Sequence, residues 1–287
     1  EYKSATAILF EGEKSIFEQK IDISPEKPFL KEIALPKDVS EENLRLLLLS
    51  AEDQTLISYT PVRKKGEAMP EPVKPPPPPN DIKTNEELYL TGLRLEQFYN
   101  PAFEPYSYYE EALRRDLGDS RVNTALAILY LKRGMFEEAE EKLNLALQRI
   151  TKNYTSPKDG GAYYYLGFAL RAQGRNDAAY DAFYKATWSS AWAAAAYYSL
   201  AELACEKGDF PRALEFLDRS LAINSLNTKA LNLKASLLRR SGQLEEAEKI
   251  ANQILAFDPL DFWAGNELYL VKSAWGRKAK RWKRKML

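Results

Sequence analysis

The chain has 287 residues, with 41 Lys and Arg balancing 41 Asp and Glu, one cysteine (Cys205) and no histidine. At 45% hydrophobic and 29% charged residues it has the composition of a folded protein, with room for about two domains. The missing imidazole excludes Ser-His-Asp and Cys-His nucleophiles, a histidine general base and histidine-ligated zinc, and one thiol allows neither an intramolecular disulfide nor a cysteine cluster. No catalytic residue, metal or cofactor is therefore expected.

Glu1-Tyr2-Lys3 stand directly inside a strand-like segment, with neither Met nor a signal peptide, so the chain reads as a piece of a longer protein. Residues 1–60 show short alternating runs. Phe17, Gln19, Ile21 and Ile23 share one parity, as do Phe29, Lys31, Ile33 and Leu35. Residues 4–10, 44–49 and 55–59 are further strand candidates, separated by turn signals such as Glu11-Gly12-Glu13 and Ser24-Pro25. Five short strands predict a small antiparallel β-sandwich, carrying 12 acids against 7 bases.

Residues 61–80 hold 8 of the 16 prolines, including the run from Pro75 to Pro79. A residue with a fixed φ and no amide proton joins neither a helix nor a central strand, so residues 61–83 are expected to be a semi-rigid linker. From Thr84 the apolar period becomes helical, opened by the capping-box pair Thr84 and Glu87.

The sequence then repeats itself. Gly134, Gly174, Gly208, Gly242 and Gly276 each close an apolar-periodic segment, at steps of 40, 34, 34 and 34 residues. Seven positions before the first four stand Ala127, Gly167, Ala201 and Ala235, and five positions after them stand Ala139, Ala179, Ala213 and Ala247. Twelve positions after come Ala146, Ala186, Ser220 and Ile254. Small residues let two helices approach to about 8–10 Å, and glycine supplies the positive φ that ends the first of them. A small–Gly–small pattern in register predicts stacked helical hairpins.

At these residues the sequence resembles the tetratricopeptide repeat family, with units starting near Ser120, Gly160, Ala194 and Thr228 and the closing pair Asp258-Pro259. A degenerate unit lies upstream, with Gly92 one position early and Pro105 where a small helix residue belongs. The 40-residue step comes from a longer connection over residues 151–160. In the last half-unit Tyr269 and Arg281 replace small residues, which suggests that the regular array stops there. The resemblance implies an α-solenoid of about five hairpins over residues 84–276, followed by a basic tail at 277–287.

A looser resemblance concerns the run from Lys185 to Leu221 behind a β segment and a proline linker. It is similar to the C-terminal half of large bacterial proteins in which a mutarotase-like β-supersandwich precedes tetratricopeptide repeats, which implies a carbohydrate context for the parent protein.

In the first family, the first helix of each pair lines a concave groove. Carrying its exposed positions over gives Arg121, Thr124, Ile128 and Lys132, then Tyr164, Phe168 and Arg171. Tyr198, Glu202 and Glu206 follow, then Lys229, Asn232, Ser236, Arg239 and Arg240, and last Trp263, Asn266 and Leu270. The family's carboxylate clamp is not reproduced, because Tyr164, Phe168, Tyr198 and Glu202 stand where it needs polar or basic groups. Tyrosine faces and arginine forks suit an extended peptide, a partner helix or neighbouring domains of the same parent chain. Trp188 and Trp192, around Ser189-Ser190, are candidates for an aromatic contact with a sugar or a partner.

Other features carry less. Adjacent glutamates such as Glu137-Glu138 diverge on a helix and do not form an acid–base pair. Cys205 has no histidine to activate it. The stretch from Arg277 to Lys285 has seven positive charges in nine residues, which a solvated helix or frayed end explains, so nucleic acid is not expected. No apolar run is long enough to span a bilayer, and a cytoplasmic setting is expected. The reading is a non-catalytic interaction or scaffold module that holds a peptide or partner segment in its groove. The alternative is an accessory C-terminal region of a carbohydrate-active multidomain protein.

Overall fold

The computed structural model describes residues 1–36, 39–62, 74–155 and 157–275. The basic tail, Gly276, Arg281 and part of the expected linker lie outside the described residues. The chain divides into two compact units, one of Glu1–Lys74 with Ala222–Ser225, the other of Pro75–Leu221 with Leu226–Leu287.

In the first unit, β1 (Tyr2–Glu11), β2 (Lys14–Ile23), β3 (Leu44–Leu49) and β4 (Thr55–Tyr59) form one antiparallel sheet in the order β2-β1-β3-β4. Gly12, at φ 57°, makes the tight turn between β1 and β2. The register pairs Ala7 with Gln19 and Leu48, and Leu48 with Ile57. Alternation then gathers Ala5, Ala7 and Ile21 on one buried face, against Ile23, Leu48 and Phe29. The antiparallel character follows the sequence pattern, but residues 29–35 are not a strand. Pro28 and Pro36 bound the segment and cannot donate to a ladder. Phe29 alone packs onto the sheet, and Leu30 is 81% exposed.

The second unit contains eleven α-helices among the described residues. They pair as α1 (Asn85–Gln97) with α2 (Tyr106–Arg115), α3 (Ser120–Lys132) with α4 (Phe136–Ile150), and α5 (Gly161–Ala172) with α6 (Asn176–Ala186). Next come α7 (Ser190–Glu206) with α8 (Phe210–Ile223), α9 (Thr228–Arg240) with α10 (Leu244–Phe257), and a last helix, α11 (Phe262–Ala274). Side-chain oxygens start several of them. Thr84 accepts the Glu87 amide at 3.2 Å, and Asp119, Asn227 and Asp261 cap α3, α9 and α11.

Gly134, Gly174, Gly208 and Gly242 all have φ between 75° and 82°, which closes each first helix and turns the chain back. The alanines before and after them are fully buried at every repeat. At Gly167 a Cβ would sit 2.5 Å from the Phe183 ring, so only glycine lets α5 and α6 approach this closely. Ser220, in a small-residue position, donates its hydroxyl to the Ala194 carbonyl at 2.8 Å and so ties α8 to α7.

The degenerate hairpin solves the same problem differently. Gly92 receives the Tyr109 ring, and the left-handed position that ends α1 is held by Tyr99 at φ 47°. Pro105 does not sit within a helix; α2 starts directly after it, where a missing amide proton costs nothing. The last part of the proline-rich stretch is docked here. Ile82 is buried, the Tyr108 hydroxyl donates to the Pro77 carbonyl at 3.0 Å, and Arg115 donates to the Ile82 carbonyl at 2.8 Å. Arg114 and Arg115 both bind the Glu111 carboxylate, at 2.8 and 2.6 Å.

This packing can be tested by stability measurements. Gly208→Ala is expected to cost about 1–2 kcal/mol, because its Cβ meets no atom within 4 Å and only the left-handed backbone is strained. Tyr99→Gly is expected to gain up to about 1 kcal/mol for the same reason, and equilibrium urea unfolding reads both signs. The hydrogen bond from Arg114, with help from Arg115, holds the Glu111 carboxyl at about 2, against burial. A depressed carboxylate stabilises the fold above its unfolded pKa of about 4.3, and that contribution is lost as pH falls towards 2. Between those limits the urea midpoint should fall. Glu111→Gln should be less stable at neutral pH and show a shallower decline.

Candidate functional site

Three first helices, α1, α3 and α5, stand side by side and border a cleft of about 1250 Å³. On α3 the helical period places Arg121, Thr124, Ile128 and Lys132 along one face, and all four line the cleft. Tyr89, Leu93 and Glu96 of α1 and Ala162, Tyr165 and Phe168 of α5 form the flanks. The connection between α4 and α5 supplies a further wall through Tyr154, Pro157, Lys158 and Asp159. The interior is mainly aromatic and aliphatic, and the charges sit at its margins.

Those charges are partnered in specific ways. Arg121 meets Glu86 at 2.5 Å and lies 5.0 Å from the centre of the Tyr89 ring, a cation–π position. Lys132 and Glu96 are 2.6 Å apart, and that hydrogen bond raises the lysine pKa. Burial pushes the Tyr89 and Tyr165 hydroxyls up, so both remain neutral hydrogen-bonding groups.

Of the sequence-predicted residues, Arg121, Thr124, Ile128, Lys132 and Phe168 lie in this cleft. Tyr164 is drawn into the packing beside it, with ring centres 5.0 Å from Phe168, 5.8 Å from Phe183 and 5.0 Å from Trp192. Arg171 reaches from α5 to α7, where it binds Glu202 at 2.9 Å and also Glu206. Beside that pair, burial and the Glu202 charge push the Tyr198 hydroxyl pKa upward. Asn232 is only 2% exposed and donates to Asp261 of the α11 cap at 2.9 Å, so it does not face a groove. Arg239 binds Glu267 of α11 at 2.6 Å, and the Trp263 indole donates to Ser236 at 3.1 Å. From α5 onward these first-helix positions largely engage the next first helix.

Trp188 and Trp192 are not gathered into one aromatic face. Trp188 lies in the turn after α6 and is 54% exposed. Trp192 packs on Gly161, Tyr164 and Tyr165 and donates its indole N–H to Asp159 at 2.6 Å. Cys205 is half-buried, and desolvation raises its thiol pKa, with Glu202 adding to the rise. Among the described residues no group of three or more His, Cys, Asp or Glu is placed to hold a metal ion. None of the described helices is long and apolar enough to cross a membrane.

The sequence reading missed Tyr89, Leu93, Tyr165 and the wall after α4. The 40-residue step was the available signal for that wall, since it marks the one enlarged connection between successive glycines.

Comparison with known proteins agrees with the repeat fold. Family models described as tetratricopeptide repeat match residues 170–237 and 204–264, and a second such model matches 145–192. A model described as "YphG-like protein, second domain" matches residues 1–59. Among solved structures, the Pseudomonas aeruginosa pilF protein is 16% identical with a TM-score of 0.61, over 70% of this chain and 90% of that one. PilW, described as a widely conserved type IV pilus biogenesis factor, is 18% identical with a TM-score of 0.56 over 70% and 90%. YrrB, described as a TPR protein with an unusual peptide-binding site, is 20% identical with a TM-score of 0.50 over 62% and 90%. At these identities the likeness is one of fold.

One consequence is testable. Glu267 is 3% exposed, so Arg239→Ala leaves a buried carboxylate without its counter-charge, at a cost of about 3 kcal/mol. The double substitution Arg239→Met with Glu267→Leu should recover most of that loss in urea unfolding.

Proposed function

We propose, on the premise that this chain is a tetratricopeptide repeat protein, that the cleft bordered by α1, α3 and α5 is its partner-binding site and that the occupant is a peptide segment. The repeat fold is a scaffold for protein–protein interaction, and tetratricopeptide repeat proteins are generally non-catalytic. The finer assignment rests on one observation. A cleft of about 1250 Å³ with an apolar interior and charged margins lies on the first-helix face of the N-terminal hairpins.

Its form supports an extended or short helical peptide. Apolar side chains would seat against Ile128, Tyr165 and Phe168, while Arg121, Lys132 and Lys158 stand at the edge. Farther along the array, Arg171, Glu202, Arg239 and Glu267 already satisfy one another. A carbohydrate reading has less support, because Trp192 is packed between Gly161 and two tyrosines.

The test is selection from a random peptide library displayed on phage, with the whole chain immobilised. Wild type should enrich a defined peptide set. Ile128→Glu, which puts a charge on the half-buried cleft floor, should lower the affinity of a selected synthetic peptide by at least about tenfold, with the far-UV circular dichroism unchanged. Tyr198→Ala, outside the cleft, should leave that affinity intact. Enrichment that survives Ile128→Glu would place the site elsewhere.

A further inference from the structure

The connection between α4 and α5 makes the glycine-to-glycine step 40 residues where the later steps are 34. This added chain is turned to the cleft, which Tyr154, Pro157, Lys158 and Asp159 help to line. It is also anchored. Asp159 Oδ1 accepts the backbone N–H of Gly161 at 2.9 Å and the indole N–H of Trp192 at 2.6 Å. The indole in turn lies against Gly161, where a Cβ would stand 3.0 Å from the ring, and within 5.4 Å of the Tyr165 ring centre. The wall is therefore referenced to both α5 and α7.

Charge at the cleft margin is unevenly satisfied. Arg121 has Glu86, Lys132 has Glu96, and Asp159 is occupied by two N–H donors. Lys158 is exposed, lines the cleft and makes no ion pair among the described residues. An ammonium without a carboxylate, held beside an aromatic and aliphatic floor, is complementary to one kind of occupant.

We infer that the α4–α5 connection is the specificity element of the cleft, and that the occupant is a peptide pairing an apolar anchor with an Asp or Glu side chain that meets Lys158. This rests on the cleft being the binding site. The apolar anchor supplies most of the affinity, and the exposed ion pair supplies orientation and discrimination. Trp192 is a positioning residue that acts through Asp159.

The same phage-displayed random library tests the inference. Peptides enriched on wild type should carry Asp or Glu close to an aromatic or aliphatic residue, and Lys158→Glu should shift the enriched set towards Lys and Arg. A synthetic peptide selected on wild type should bind Lys158→Glu about three- to tenfold more weakly. Trp192→Phe keeps a ring against Tyr164 and Tyr165 but removes the donor to Asp159. It should shrink the preference for that peptide over its Glu→Gln counterpart towards unity while apolar binding persists. Enriched peptides without acidic residues, or a set unchanged by Lys158→Glu, overturn this inference and leave the cleft reading in place. No enrichment on wild type, or enrichment that survives Ile128→Glu, overturns the cleft reading and this inference with it.

Discussion

The close approach of the two helices in each hairpin is the constraint on which the array depends. It requires a residue with little or no side chain at one level of the first helix and at two levels of the second. Ala127, Ala139 and Ala146 meet it in one repeat, and Gly167, Ala179 and Ala186 in the next. Because those contacts bring the helices together, a large side chain can be accommodated only where its partner yields, as Phe183 is by Gly167 and Tyr109 by Gly92. The last repeat departs from this rule, with fully buried Ile254 at that level packed against Leu231 and Ala264.

With the second helices close behind, the first helices stand next to one another and their outer faces interact along the array. This arrangement gives two different surfaces. Between α5 and α7, and again between α9 and α11, arginine on one helix meets glutamate on the next. Arg171 serves two carboxylates, and Arg239 neutralises a buried one. Between α1, α3 and α5 the ion pairs lie at the margins, and the middle of the face is Ile128, Tyr165 and Phe168. Apolar surface bordered by ion pairs is thereby concentrated at one part of a repetitive fold.

Irregularity borders that part on both sides. On one side the first hairpin lacks the glycine turn, and Tyr99 holds the left-handed position while lining the cleft. On the other, the enlarged connection after α4 brings Lys158 and Asp159 to the rim and is secured through Trp192. Both departures from the repeat, a strained φ at Tyr99 and an added length after α4, thus line the same cleft.

Much of the fold was legible in the residues. A left-handed turn needs glycine and a tight helix crossing needs alanine, and both requirements act at single positions that recur every 34 residues. Gly134, Gly174, Gly208 and Gly242 could therefore be read without any knowledge of contacts. Parity was a weaker guide in the β region. Residues 29–35 alternate like a strand, yet they are flanked by two prolines and form none, leaving Phe29 as a cover for the sheet. The candidate site was legible only in part: the groove positions that the family resemblance implies on α3, from Arg121 to Lys132, do line the cleft. Whether Asn232 is buried, whether Arg239 faces solvent or Glu267, and whether a long connection turns inward all depend on residues about thirty positions away. Those outcomes belong to the tertiary structure, because a groove is made by the spacing between helices and no single helix encodes it.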